Sequence, residues 1–402
     1  MTRTDRDHDL VLLGATGFVG RLTAEHLVAS APKDARIALA GRSPEKLRQL
    51  TARLGVDWPT VVVDSSDAVA VERLAASTGV VATTVGPYLS RGLPLATACA
   101  RAGTSYADLT GESAFVSRSI AANHGIAGAS GARIVHSCGF DSIPSDLGVG
   151  LSAEAAGGGA LVEAIAQVRS IRGGVSGGTI DSLRQQLIAA QSDARLRRII
   201  SDPFALTPGP SVRLPAGSIP HGSSRDRATG RWQAPFVMGA FNRQVVQRSN
   251  YLTGWGYGQL LRYREVVDTL PGLRGRALAA AVDALPAVLG GALTFPPTRA
   301  LLDRLLPAPG EGPSEATMDR GRFSIDVDVY PIEGQPMRTR VAAPYDPGYR
   351  GTAVMLGESA LCLALDDLAD HAGVLTPMVA MGQALAARLR AHRFTLDTSP
   401  LS

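Results

Sequence analysis

The strongest constraint in this chain of 402 residues lies near its start. A short apolar run, Leu10 to Leu13, passes directly into Gly14-Ala15-Thr16-Gly17-Phe18-Val19-Gly20. Glycines at this spacing let the chain turn sharply and bring backbone N–H groups against a pyrophosphate with no Cβ in the way. The helix that opens after them adds the partial positive charge of its N-terminus. Alone such a loop is unspecific. Placed between a strand and a helix amphipathic through Leu22 and Leu27, it predicts a dinucleotide-binding α/β fold, the alternative being a tight glycine turn in some other α/β domain.

The rest of residues 1–150 keeps that rhythm. Strand-like runs at 10–13, 36–40, 60–63, 80–84, 105–107 and 133–136 alternate with helical stretches at 19–29, 44–54, 68–76, 94–102 and 113–124, which predicts a doubly wound parallel sheet. After residue 150 the pattern changes. A strand over 161–171, a polar helix over 180–200, a Pro/Gly/Ser-rich loop over 203–224 and a strand pair at 321–330 and 337–343 point to a second, α+β domain over 151–350. Helices over 351–370 and 377–391 close the chain.

The second strand ends Ala40-Gly41-Arg42-Ser43, with Lys46 a turn later. An acid here would bind the ribose 2′-hydroxyl and repel a 2′-phosphate, whereas Arg42 can fork onto that phosphate and stack on adenine. NADP(H) is therefore expected, against NAD with Arg42 merely capping the strand edge. Arg42, Ser43 and Lys46 surround the phosphate, and Asp64, after the third strand, lies beside the adenine. The fourth strand runs into Gly86-Pro87-Tyr88. Strand ends of this kind converge on the ligand crevice, so the turn passes over the nicotinamide half. Tyr88 is either a proton donor or a loop anchor.

The net charge of +4 at pH 7 suggests nucleic acid only until the cations are located. Residues 1–150 carry 14 acidic and 14 basic residues, whereas 184–276 carries 14 arginines against five acids. The excess therefore sits in the middle segment. It adjoins an apolar stretch, 277–295, that approaches a bilayer span but is interrupted by Asp283 and Pro286. A helical hairpin, an interfacial membrane contact and a true span are the three readings. Phosphorylated or acidic carriers or a lipid surface suit this charge better than nucleic acid does. Cys99, Cys138 and Cys362 form neither a disulfide framework nor a metal cluster, so no metal is expected. A charged N-terminus running into a short strand carries no export signal. A cytoplasmic protein is expected, with a peripheral contact on the inner face of the membrane as the further expectation.

Several segments together resemble one family. They are Gly14 to Gly20, the Gly86-Pro87-Tyr88 turn, Tyr106 to Glu112 (YADLTGE) and His136 to Gly148 (HSCGFDSIPSDLG). Downstream come Ser176 to Thr179, Arg248-Ser249-Asn250, Gly310 to Ser314, Asp346-Pro347-Gly348-Tyr349 and Gly373 to Pro377. The chain resembles saccharopine dehydrogenase-like oxidoreductases and, more narrowly, the actinobacterial trans-acting enoyl reductase branch, similar to proteins acting on phthiocerol and phenolphthiocerol lipids. The resemblance implies a Rossmann domain, a second domain carrying substrate and homodimer contacts, and C-terminal helices that return to the first domain. It also implies reduction of a C=C bond in an acyl thioester held on the acyl carrier domain of a polyketide synthase. It supplies no settled catalytic residue.

No nucleophile elbow, metal-ligand helix or P-loop is present in the sequence. Hydride transfer asks less of a protein, which orients the cofactor, polarises the acceptor and delivers a proton. Candidates for that work are Tyr88, Asp141 and Ser142, with Cys138 and Gly139 at the mouth of the crevice and Gly86 and Pro87 opposite. Asp141 or Ser142 can equally cap the helix that Pro144 opens. Asp108, Thr110 and Glu112 form a second cluster, with the same ambiguity. His124 and His136 are expected to be packed or solvated. Tyr251, Trp255, Tyr257 and Tyr263 make either a packed turn or an apolar wall for an acyl chain, with Arg262 and Arg264 offered to a carrier phosphate. The rivals are an imine or oxo-acid reductase of saccharopine type, which needs convergent arginines, and an NADP-binding lipid-surface protein without turnover.

Overall fold

The runs marked in the first 150 residues become six parallel strands of one sheet. The computed structural model describes residues 6–173, 193–212, 222–226, 229–294 and 313–401. In chain order the elements are β1 (His8–Leu13), α1 (Phe18–Ser30), β2 (Ile37–Gly41), α2 (Pro44–Leu54), β3 (Thr60–Val62), α3 (Ala68–Ser77), β4 (Thr78–Thr83), α4 (Tyr88–Ala102), β5 (Ser105–Asp108), α5 (Ser113–Ser130) and β6 (Arg133–Val135). Central strands β2 and β4 are buried along their whole length, as parallel strands covered on both faces must be. Local chemistry sets the helix ends. Ser43 caps α2 and Gly55 ends it in the left-handed region, while Asp67 caps α3. The helix expected from residue 94 starts at Tyr88 instead. Its first amides are held from a distance, Tyr88 and Leu89 donating to the buried carboxylate of Glu112 at 3.1 and 2.7 Å.

The second sheet is built from β7 (Leu161–Arg172), β8 (Ser224–Arg225), β9 (Arg231–Pro235), β10 (Arg262–Pro271), β11 (Arg322–Pro331), β12 (Met337–Ala343) and a C-terminal strand, β14 (Thr395–Pro400). Its order is β14-β12-β11-β7-β10-β9-β8, with only β7 and β10 parallel. Helix α6 (Ile143–Ala155), buried from Ile143 to Ala153, packs on the second sheet. Gly148 lets α6 lie directly on β11, because a Cβ there would sit 2.5 Å from a methyl carbon of Val327. On the outer face of the second sheet, Asp326 and Asp328 are paired by Arg169, Arg338 and Arg340.

The remaining helices are α7 (Ala194–Ser201), α8 (Gly239–Leu252), α9 (Gly272–Thr294), α10 (Glu315–Asp319), α11 (Thr352–Leu365) and α12 (Pro377–Ala391). Of the helix expected at 180–200, only α7 falls among the described residues, and the Ser176 to Thr179 motif lies outside them. The expected loop at 203–224 is described only in part. Strands β9, β10 and β14 and helix α8 have no counterpart among the elements expected from the sequence. The last helices end in two strands that serve different sheets. β13 (Gly373–Leu375) pairs in parallel with β6 as the seventh strand of the first sheet, and β14 pairs with β12 of the second. Helix α11 packs on α1, where a Cβ on Gly357 would meet the His26 ring at 2.7 Å. The imidazoles of His26 and His392 share one oxygen of buried Glu358, at 2.6 and 3.1 Å. Among the described residues no helix is long and apolar enough to cross a membrane.

Candidate functional site

The glycine loop is shaped as a phosphate cradle. Gly14 has φ +86°, and a Cβ on it would strike Thr84 Oγ1 at 2.6 Å. Thr84 in turn donates to the Gly14 carbonyl at 3.1 Å. At Gly20 a Cβ would lie 2.1 Å from the Gly14 oxygen, so the first turn of α1 closes on the loop only with glycine there. Gly17 caps α1 without a side chain, leaving the N-terminal amides of the helix to an anion. Thr16 and Val19 are half-buried beside them. Phe18 packs edge-on against Tyr349, with ring centroids 4.9 Å apart. These residues fit a dinucleotide pyrophosphate.

At the end of β2, Arg42 is exposed and, among the described residues, has no hydrogen-bond or ion-pair partner. That leaves its guanidinium available to a 2′-phosphate. Ser43 accepts from the Lys46 amide at 3.3 Å, and Lys46 is exposed. Asp64 accepts from the amide and hydroxyl of Ser66, which together with Arg42 hold its carboxyl below the usual range.

The crevice loops after β5 and β6 are organised by Asp108. One carboxylate oxygen accepts from the amides of Thr110 and Ser137, both at 3.0 Å, and the other meets His136 Nδ1 at 2.7 Å. His136 Nε2 reaches Ser119 at 2.8 Å, so this histidine is packed. Ser137 adopts φ +65°, held by these bonds and by its hydroxyl on Thr110 O at 2.7 Å. Cys138 turns its thiol into the core, where burial pushes its pKa up, and only its main chain is left at the crevice. Gly139 permits close approach of Leu109 and Thr352, at 2.9 and 3.2 Å from a Cβ. Gly86 is exposed and Pro87 half-buried on the opposite lip.

The three proposed chemical groups part company here. Tyr88 is buried; its hydroxyl donates to Thr83 O at 3.1 Å and accepts from the Leu109 amide at 3.3 Å. Tyr88 is thus the loop anchor, and its expected role as proton donor is corrected by this geometry. Ser142 is fully buried and donates to Asn242 Oδ1 at 2.8 Å. Its side chain does not cap α6. Asp141 is half-buried, has no hydrogen-bond partner among the described residues, and is pushed up to about 6 by burial.

Other residues at the site carried no assignment from the sequence. Glu265 of β10 accepts from Asn242 at 2.8 Å, from Ser145 at 3.1 Å and from Tyr263 at 3.2 Å. The alternation of β10 puts Tyr263 and Glu265 on one face, a signal that its charged neighbours mask in the sequence. Met238, at the start of α8, reaches Gly111 beside the Asp141 carboxylate. Tyr349 closes the Asp346-Pro347-Gly348-Tyr349 motif and Thr352 follows it, with Asp346 capping the turn by accepting from the amides of Tyr349 and Arg350. Arg264 pairs with Glu163 at 3.4 Å, and Arg262 donates to Val162 O at 3.4 Å; neither joins the buried Tyr263–Glu265 group. Tyr257 packs in the main core and Tyr251 stacks edge-on with Trp255, which is the packed-turn reading of the aromatic run.

Residues 10–135 match the family model of the saccharopine dehydrogenase NADP binding domain. A Mycobacterium tuberculosis protein provisionally named a trans-acting enoyl reductase is 44% identical over 423 residues, which covers 100% of both chains. A trans-acting enoyl reductase of Mycobacterium bovis is 43% identical over 421 residues, again 100% of both. Among solved structures, the L-Glu-forming saccharopine dehydrogenase of Saccharomyces cerevisiae superposes with a TM-score of 0.52 at 13% identity, over 98% of this chain and 99% of that one, a likeness of fold alone.

Proposed function

Since the chain belongs to the trans-acting enoyl reductase family and is an NADP-dependent oxidoreductase, we propose that it reduces the C=C bond of a 2-enoyl thioester held by a partner polyketide synthase. What supports this reading is a dinucleotide cradle at Gly14 to Gly20 together with a carboxyl group after β6, Asp141, that has no hydrogen-bond partner among the described residues. NADPH, when bound, supplies a hydride for the β-carbon. The amides around Gly14, Gly17 and Gly20 hold the pyrophosphate, and Arg42, Ser43 and Lys46 hold the 2′-phosphate. Asp64 lies beside the adenine. Gly86, Pro87 and the main chain of Cys138 and Gly139 line the nicotinamide half. Asp141, with a pKa raised toward neutrality, gives its proton to the α-carbon, so that one hydride and one proton are added across the bond.

The saccharopine-type alternative asks for several cations around an amino diacid. Three described arginines of the middle segment are engaged elsewhere: Arg248 is buried on the carbonyls of Leu206 and Val374, and Arg262 and Arg264 lie along β10 beside β7, whereas Arg243 is half-buried near Tyr263. We further propose that α9, which exposes Leu273, Leu278, Leu285 and Val288, makes a peripheral contact with the acyl carrier or with a lipid surface on the cytoplasmic side. In a stopped-flow assay, purified protein with NADPH is expected to turn over long-chain 2-enoyl pantetheine thioesters and to ignore mixtures of oxo acid and amine. Tight NADPH binding without turnover on either panel would defeat the enzymatic reading.

A further inference from the structure

Where α1 meets the last two helices of the chain, two imidazoles close on one carboxyl group. Nε2 of His26, on α1, lies 2.6 Å from Oε1 of Glu358 on α11, and Nε2 of His392, at the end of α12, lies 3.1 Å from the same oxygen. All three ligand atoms fall within 4.8 Å of one another, and among the described residues no other group of three or more His, Cys, Asp and Glu side chains converges in this way. The two rings cross edge-on with centroids 4.8 Å apart. Glycine at 357 makes room for the first of them, since a Cβ there would strike it at 2.7 Å. The Glu358 side chain is 1% exposed, and its second oxygen meets Arg388 at 3.3 Å. Arg388 is also held by both oxygens of Asp366, at 2.6 and 2.5 Å. Two carboxylates thus share one guanidinium, which leaves a negative charge over for a further cation. A proton on one imidazole would supply it, but that arrangement gives the second imidazole nothing to do. Only the His26 contact is a hydrogen bond; His392 brings its ring nitrogen to the same oxygen without that alignment.

We propose that His26, Glu358 and His392 form a binding site for a zinc ion, which joins α1 to α11 and to the end of α12. Two neutral imidazoles and a carboxylate are the nitrogen and oxygen donors that zinc takes, with one position left to water. An ordinary histidine is mostly unprotonated at pH 7, so its lone pair is free for a metal. A ring that binds through Nε2 carries its proton on Nδ1, and Ser30 Oγ lies 3.3 Å from Nδ1 of His26, where it can accept that proton. Arg388 holds the other oxygen of Glu358 and so fixes the one that faces the rings. Calcium and magnesium prefer more oxygen donors than this set offers. The expectation of a metal-free chain rests on the cysteines and does not reach this group, because His26 and Glu358 are 332 residues apart in sequence. The ion fastens the second half of the helix that the phosphate cradle opens, and the proposal is independent of the reduction and its proton donor.

The test uses the full chain, stripped of metal with a chelator and titrated with zinc chloride by calorimetry near neutral pH. One zinc ion per chain is expected, with a Kd of about 1 μM or tighter, and excess magnesium should not displace it. The thermal midpoint should rise with zinc and fall back when EDTA is added. His392→Gln changes a partly exposed ring at a helix end and should fold as the wild type does, while His26→Gln changes the ring against Gly357. Each is expected to weaken zinc at least about tenfold. X-ray absorption of the zinc-loaded wild type needs no variant and should show two imidazoles and no sulfur around the metal. The absence of saturable binding, or full-strength binding kept by either variant, would show that the group is a histidine–glutamate ion pair and overturn the proposal. A zinc spectrum with fewer than two imidazoles would do the same.

Discussion

What separates Tyr88 from Asp141 is who else holds their polar atoms. The Tyr88 hydroxyl both gives and receives a main-chain hydrogen bond, so it has no proton to spare for a substrate. Tyr88→Phe should therefore cost about 1–2 kcal/mol of stability in denaturant titration and leave turnover within about threefold; a proton donor would cost about a hundredfold or more. At the cofactor end, Arg42 has the opposite character, exposed and without a hydrogen-bond partner among the described residues. Arg42→Ala is expected to weaken NADPH about tenfold to a hundredfold by fluorescence titration and to leave NADH affinity as it was. The roles of Gly14, Gly20 and Arg42 were legible because each depends on neighbours in sequence. Those of Tyr88 and Ser142 were not, since Leu109 and Asn242, 21 and 100 residues away, decide them.

At the scale of elements, the motifs shared with the family turn out to be fastenings as often as chemistry. Asp146, from the segment Gly139 to Gly148, accepts from the Ser249 hydroxyl and from the Met378 amide at 2.8 Å, and Ser249 also meets Thr376 at 2.7 Å. Three separate motifs thus converge on one carboxyl group and lock α6, α8 and the start of α12 together. Asp146→Ala strands those donors in the core and should cost roughly 2–4 kcal/mol in urea unfolding, while the folded fraction binds NADPH normally. Strands of the first sheet were readable because each is a short apolar run bounded by turn residues. β13 is three residues long and exists only by pairing with β6, far away in sequence. In β10 the alternation was masked by Arg262, Arg264 and Asp268, whose charges made a half-buried strand look like surface.

Across the whole molecule, the C-terminal residues tie the two sheets to one another, β13 completing the first and β14 the edge of the second. The crevice lies where that tie is needed, because Thr352 accepts from the Phe140 amide at 3.1 Å and Tyr349 braces Phe18. Three carboxyl groups in or next to α6 and β10 are raised by burial. Asp141 and Asp146 are raised to about 6 and Glu265 to about 7. Raised carboxyl groups add stability that is complete below their unfolded values, near pH 4, and that is lost as pH climbs through 6 to 7. The thermal midpoint of Glu265→Gln relative to the wild type should accordingly become more favourable between pH 5 and pH 8.

Reduction at the β-carbon is tested most directly by isotope. With NADPH deuterated at the transferable C4 position and a 2-enoyl thioester in ordinary water, mass spectrometry should find one deuterium per product molecule, located at the β-carbon. Saturated product without deuterium, or NADPH consumed with the double bond intact, would contradict the account.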